Sequence, residues 1–264
     1  GGPELIWSFE GLGDGHGNVG IGMDRIFVCG MIDSVGYLFS FDLSGKLLWK
    51  KSYGLEWYKD YTGVRSTPTV VGELVYFESG QGVVYCYNGN TGALIWSIDL
   101  LSNFHAGNIQ WGMAESLLVD GAKIYCTPGG KEHNLVALNR FSGKTIWTSQ
   151  GNGQPAAYCS PILIKHNETK LIVTMTAESI IGVDAETGEA YWSIEQLQGN
   201  KIHANTPVYY NGKIMCSSAS NKEGLDGTVL VQLSRDGKSA EVVWRNTDIT
   251  NLMGGFILQD GFVY

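Results

Sequence analysis

The stretch NTGALIW, residues 90–96, reads as a turn at Asn90-Thr91-Gly92 feeding a strand that ends on Trp96. Nearly the same phrase stands at 43–49 (LSGKLLW), 141–147 (FSGKTIW) and 186–192 (ETGEAYW), and in looser form at 235–244 (RDGKSAEVVW). With Trp7 in LIWSFEG, the Trp at 7, 49, 96, 147, 192 and 244 are spaced by 42, 47, 51, 45 and 52 residues. A period of roughly 40–50 residues in a strand-rich chain marks a β-propeller, one four-stranded blade per period.

One period shows why. In residues 66–96, Thr67 to Val71, Leu74 to Phe77, Val83 to Tyr87 and Ala93 to Trp96 are short β-branched and aromatic runs. Gly72-Glu73, Gly80-Gln81-Gly82 and Asn88 to Gly92 separate them, as an antiparallel meander requires. The same frame fits 18–49, 116–147, 160–192 and 206–244, giving five whole blades. Residues 1–10 read as an orphan fourth strand, and 253–264 as the first two strands of a further blade. The chain is therefore read as one propeller domain over 1–264, cut at both ends and belonging to a ring of seven or eight blades. In the recurring turn, Gly supplies a positive φ and the preceding Ser, Thr or Asp bonds back to the backbone. Trp7, Trp49, Trp96, Trp147, Trp192 and Trp244 are all expected to dock an outer strand on its neighbour, the indole N–H donating to a carbonyl there.

Composition narrows the function. Hydrophobic residues make up 44% and charged ones 17%, which is globular, and Gly at 36 of 264 fits many tight turns. Net charge is −8 and the largest local basic cluster is Lys50-Lys51, which disfavours nucleic acid and anionic membrane as partners. The five Cys at 29, 86, 126, 159 and 216 form no CxxC, CxxCH or adjacent pair and read as small buried hydrophobes. No apolar run is long enough for a membrane-spanning helix. No G-x-S-x-G or HExxH motif offers a hydrolase nucleophile or zinc site. GLGDGHG at 11–17 has the glycines of a phosphate loop but is followed by a strand-like run, so it reads as an inter-blade loop. Asn167-Glu168-Thr169 is a sequon that reads first as a hairpin turn.

The phrases VALNRFSGKTIW, GVDAETGEAYW and VYCYNGNTGALIW resemble the tryptophan-docking repeat of the pyrroloquinoline quinone (PQQ)-like β-propellers, the quinoprotein alcohol dehydrogenase-like family. The likeness runs over essentially the whole chain and is nearest to the secreted bacterial branch. It implies a periplasmic or otherwise extracytoplasmic location. It also implies one of two functions: a cofactor-free binding or scaffold protein, as in the lipoprotein of outer-membrane barrel assembly, or a PQQ- and calcium-dependent alcohol or polyol dehydrogenase. The adjacent Cys pair of the family's enzymes is absent here. The chain is accordingly read as a binding or scaffold propeller without a cofactor, with the dehydrogenase as the alternative.

In a propeller, residues just before each first strand converge on the channel mouth. Aligning the blades puts Asn18, Thr67, Ser116 and Thr206 in register, and the positions before them supply a polar set. His16, Arg65, Glu115, Tyr158, His203 and Asn205 are expected to line a funnel for an anion, a polyol or a protein partner, with Trp111 as a stacking face. In the dehydrogenase reading Glu115 and Asn205 hold calcium, Arg65 contacts the quinone and Trp111 lies along its ring plane. The competing structural expectation is that Arg65 and Glu115 pair with each other and Asn205 caps a turn. No catalytic residue is assigned.

Overall fold

The computed structural model describes residues 2–220 and 224–264. Each repeat forms a four-stranded antiparallel sheet whose strands follow one another in chain order. The first holds β1 (Gly20–Gly22), β2 (Arg25–Ile32), β3 (Val35–Asp42) and β4 (Leu47–Leu55). The second holds β5 (Thr69–Val71), β6 (Leu74–Glu78), β7 (Val83–Asn88) and β8 (Leu94–Asp99), followed by the single helical turn α1 (Leu100–Asn103). The third holds β9 (Leu118–Asp120), β10 (Lys123–Cys126), β11 (Leu135–Asn139) and β12 (Thr145–Ser149). The fourth holds β13 (Ile162–His166), β14 (Thr169–Met175), β15 (Ser179–Asp184) and β16 (Ala190–Glu195). The fifth holds β17 (Val208–Tyr210), β18 (Lys213–Ser217), β19 (Thr228–Leu233) and β20 (Ala240–Asn246). A short hairpin, β21 (Leu258–Gln259) and β22 (Phe262–Val263), follows. The fold is an all-β propeller.

The core lies between blades. Phe27, Leu38 and Cys29 of the first sheet pack with Val75, Phe77 and Tyr87 of the second. Tyr76 and Cys86 meet Ile124 and Cys126 at the next boundary, and Leu171 and Val173 meet Ile214 and Cys216 at the last. The middle strands are covered on both sides, so they read as continuous apolar runs, whereas β8 and β20 lie largely exposed. All five Cys are buried free thiols.

Two belts tie the blades together. On the outside, the indole Nε1 of Trp7, Trp49, Trp96, Trp147 and Trp192 donates to Leu43, Gly89, Arg140, Ala185 and Gly237 carbonyls of the following blade, at 3.0–3.3 Å. In every whole blade the ladder slips by one residue immediately before the Trp, where Leu48, Ile95, Ile146, Tyr191 and Val243 stand unpaired. A bulge bends the strand and re-aims the next side chain, here toward the neighbour. The turn glycine receives the ring: a Cβ on Gly188, whose φ is +80°, would lie 2.7 Å from Trp147. The two ends of the repeated phrase thus meet across a blade boundary.

On the inside, β1 runs beside β5 and β5 beside β9. Asn18 N donates to Thr67 Oγ1 (3.1 Å), Thr67 N to Ser116 Oγ (3.0 Å) and Ser116 N to Ser160 Oγ (3.0 Å), so the register positions are joined around the channel. A Cβ on Gly20 would stand 2.2 Å from Pro68 O, so this approach needs glycine.

Two expectations fail. Residues 2–10 form no strand; Trp7 nevertheless docks on the first blade and stacks near Phe41. Trp244, expected to dock like the others, does not: it is 39% exposed on β20, against 9% for Trp147 and Trp192. Its strand carries the same bulge, so the ring is aimed as in the other blades.

Candidate functional site

Four connectors, 56–68, 104–117, 150–161 and 196–207, carry the chain from one blade's outer strand to the next blade's inner strand. Glu56 fixes the first. It is fully buried, and its carboxyl accepts from Tyr53 OH (2.7 Å), Trp57 N (2.7 Å) and Gly80 N (2.6 Å). Burial raises its pKa, and those same bonds pull the other way. Trp57 folds in beneath, its Nε1 donating to Asp60 O (3.0 Å), and Gly63 N closes the loop on Trp57 O (2.8 Å). The second connector is tied to the same point: Gly80 O accepts from Met113 N (3.1 Å) and Asn108 Nδ2 (2.9 Å).

This arrangement gathers Arg65, Trp111 and Tyr158. Tyr61 meets Trp111 edge-on at 6.0 Å, Trp111 meets Tyr158 at 5.8 Å, and Trp111 N donates to Tyr158 OH (3.2 Å). Three connectors therefore contribute to one aromatic run. The Arg65 guanidinium donates to Gly63 O (2.8 Å) and Tyr61 O, and its centre lies 5.9 Å from the Trp57 ring. It is half-buried, and desolvation lowers its pKa against the pull of Glu56 and Tyr158. Among the described residues no carboxylate forms an ion pair with it. His16 stands beside this group, bonded through Nε2 to Thr62 O (3.1 Å). With Gly13 to Gly15, Tyr61 and Thr62 it lines an open groove of about 360 Å³.

The other three expected residues lie inside the protein. Glu115 is 2% exposed; its Oε2 accepts from Thr127 N (2.9 Å) and its Oε1 has no partner. Burial pushes its pKa up to about 8, and the bonds from Thr127 oppose that. Glu78, at the end of β6, is as deeply buried, and neither of its oxygens has a partner. Burial and then the neighbouring Glu115 and Glu56 hold its carboxyl well above the usual carboxylate range. His203 Nε2 donates to Ala177 O (3.1 Å) and the ring is fully buried, which drives its pKa down to about 4. Asn205 Nδ2 donates to Ser217 O (3.4 Å) and Asn251 O (2.5 Å).

One pairing expected from the sequence is corrected here. Arg65 and Glu115 form no ion pair, because the guanidinium turns back onto its own connector while the carboxyl points inward to Thr127. As calcium ligands, Glu115 and Asn205 each present one buried oxygen without a hydrogen-bond partner, Oε1 and Oδ1, while Asn205 Nδ2 is taken by Ser217 O and Asn251 O. The Cys159 thiol lies 3.3 Å from Asn205 O and close enough to Glu115 to feel its charge. A calcium ion takes six to eight oxygens, and no group of three acidic, His or Cys side chains gathers among the described residues. His105, His133 and His166 stay apart in the same way. Trp111 has two aromatic neighbours, Tyr61 at 86° and Tyr158 at 37° to its plane. In the sequon, Asn167 Nδ2 is engaged with Arg235 O (2.6 Å) of the next blade.

Sequence reasoning missed Glu56, Trp57, Tyr61 and Glu78. The run EWYKDY at 56–61, dense in aromatics just before Arg65, was the available signal for three of them. Glu78 had a fainter one: it is a carboxylate at a strand end where the other blades carry Cys29, Thr127, Thr174 and Ser217.

A family profile described as outer membrane protein assembly factor BamB matches residues 34–264. Among curated relatives, BamB of Moranella endobia is 25% identical over 238 residues, covering 80% of this chain and 56% of that one. A tetrathionate hydrolase of Acidithiobacillus ferrooxidans is 27% identical over 149 residues, 47% of this chain and 27% of its own. The BamB crystal structure from Moraxella catarrhalis superposes with a TM-score of 0.61 at 18% identity over 89% of this chain and 62% of that one. A europium-containing methanol dehydrogenase gives the same TM-score at 15% identity, over 92% of this chain and 63% of its own. Fold similarity therefore does not choose between scaffold and enzyme. The chain spans between about a quarter and three fifths of the length of these proteins.

Proposed function

This chain belongs to the family of outer membrane protein assembly factor BamB, and we propose that it is a non-catalytic propeller that binds a protein partner through its connector face. The observation that carries the reading is Arg65: a half-buried guanidinium without a carboxylate partner among the described residues, set beside the aromatic run Tyr61, Trp111 and Tyr158. Aromatic and Arg anchors in partly desolvated places are where binding energy concentrates at interfaces. A guanidinium that feels Glu56 but makes no ion pair suits a carboxylate on the partner, and the rings supply apolar area around it. The family's name suggests assembly work at the bacterial outer membrane, hence an extracytoplasmic place of action.

The dehydrogenase alternative needs calcium and a quinone; Glu115 Oε1 and Asn205 Oδ1 are two unpartnered oxygens it would use, against the six to eight that a calcium ion takes.

The test is site-specific photocrosslinking from position 61 or 158 in living cells, paired with Arg65→Ala and Trp111→Ala. The reading predicts one discrete protein adduct and a loss of about 2 kcal/mol or more in affinity for either variant, roughly thirtyfold, with melting temperature held. Adduct yield that ignores both substitutions, or that falls only in step with stability, would refute it.

A further inference from the structure

We propose that the groove between residues 13–16 and the first connector seats an arginine side chain of the protein partner, next to the place where Arg65 takes a carboxylate. This rests on the binding reading above and names the partner's chemistry at that face. The groove holds about 360 Å³ and is lined by Gly13, Asp14, Gly15, His16, Tyr61 and Thr62. That volume is at the low end of the roughly 300–1,000 Å³ usual for small-ligand sites, enough for one side chain to enter.

Close backbone approach builds the groove. Asp14 exchanges both backbone bonds with Met31 (2.8 and 2.9 Å), and His16 N donates to Val64 O (2.6 Å) on the connector. A Cβ on Gly13, whose φ is +79°, would lie 1.9 Å from Met31 O, and one on Gly63, whose φ is +106°, would lie 2.5 Å from the Asp14 carbonyl. The glycines of GLGDGHG thus fix the loop against the first blade and the connector, and leave the side chains of Asp14 and His16 exposed.

What the groove can bind follows from where its hydrogens go. Thr62 Oγ1 donates its one hydrogen to Asp14 Oδ2 (2.8 Å), and a carboxylate has none to give. His16 Nε2 lies 3.1 Å from Thr62 O, a carbonyl that can only accept, so in the neutral ring the hydrogen sits on Nε2 and Nδ1 is an acceptor. Asp14, His16 and Thr62 therefore all present acceptors. Asp14 enters no ion pair among the described residues. Arg65, three residues beyond Thr62, turns instead to Gly63 O and Tyr61 O.

Acceptors around one negative charge select a cationic donor. They repel phosphate, the opposite of what the glycines alone suggest. A guanidinium suits them better than an ammonium, because its planar fork of N–H groups can meet a carboxylate with two bonds and still reach a further acceptor. The exposed Tyr61 ring offers a face on which that plane can stack. The chain's net charge of −8 favours the approach of a basic segment.

The test titrates the whole protein with N-acetyl-argininamide and follows amide and imidazole chemical shifts. Saturable shifts are expected at Gly15, His16 and Thr62, weakened by added salt. N-acetyl-lysinamide is expected to bind more weakly, and sorbitol and sulfate not at all. Asp14→Asn, an exposed and nearly isosteric change, is expected to weaken argininamide by about tenfold or more at unchanged melting temperature, as for the loss of a charge-assisted bond. No saturable shift, equal binding of lysinamide or sorbitol, or an affinity that ignores Asp14→Asn would overturn the assignment. If that happens while the Arg65-dependent photocrosslink stands, the arginine seat falls alone; argininamide binding without any crosslink would keep the seat and remove the partner reading.

Discussion

Trp147 is 9% exposed, donates its indole N–H to Ala185 O at 3.3 Å and rests on Gly188, and all of these partners belong to the next blade. Its whole contribution is therefore to the boundary between the third and fourth sheets. Trp147→Ala is expected to destabilise by about 3–5 kcal/mol, read as a fall in denaturant midpoint at unchanged slope. A midpoint unmoved by the substitution would remove docking from the account. His203 makes a second prediction at this scale. Its buried ring stays neutral down to about pH 4, below the ordinary His value, so its stabilising effect is complete above pH 6.5 and is lost as pH falls toward 4. His203→Gln is expected to flatten that part of the acid-unfolding curve; an identical acid limb in wild type and variant would show that the titration lies elsewhere. Single residues were unequally legible. Trp and Gly announced themselves by recurrence, and Arg65, Trp111 and Tyr158 by preceding first strands. At Trp244 the ring is 39% exposed although its strand carries the same bulge. Glu78 sat unmarked in YFES, because its burial comes from packing around the strand end and not from any local pattern.

At the scale of elements, strands and connectors obey different physics. The strands were readable because each buries side chains in a fixed alternation between turn residues, and β5 to β8 fall within a few residues of their expected bounds. The connectors were not, because their shape is set by long-range bonds such as Gly80 N to Glu56 Oε1 and Trp111 N to Tyr158 OH, which have no local period. That is why the Arg65–Glu115 pairing, natural from register alone, does not form. The inner belt gives an element-level test. Ser116 Oγ accepts from Thr67 N, linking the entry of β5 to that of β9. Ser116→Ala leaves that half-buried N–H without its partner and is expected to cost about 1 kcal/mol. The check is hydrogen exchange at Thr67, which speeds up if the bond matters and stays slow if water replaces the hydroxyl.

The molecule as a whole is a set of sheets with almost nothing joining them except boundaries: inter-blade cores, an indole belt outside and a hydroxyl belt inside. Between those boundaries run the connectors, which carry Arg65 and the aromatic run on one face of the blades. Its fold is shared equally with an assembly factor and with a methanol dehydrogenase, so function has to be decided by the site. The site described here offers an Arg without an ion pair and an aromatic run at the surface, with Glu115 and Asn205 buried behind them. The direct test is titration of the protein with PQQ, with and without calcium, followed by Trp fluorescence and heat. The account predicts no saturable, calcium-dependent quenching well above micromolar concentration. One-to-one, calcium-dependent binding would contradict it and make the protein a quinone enzyme.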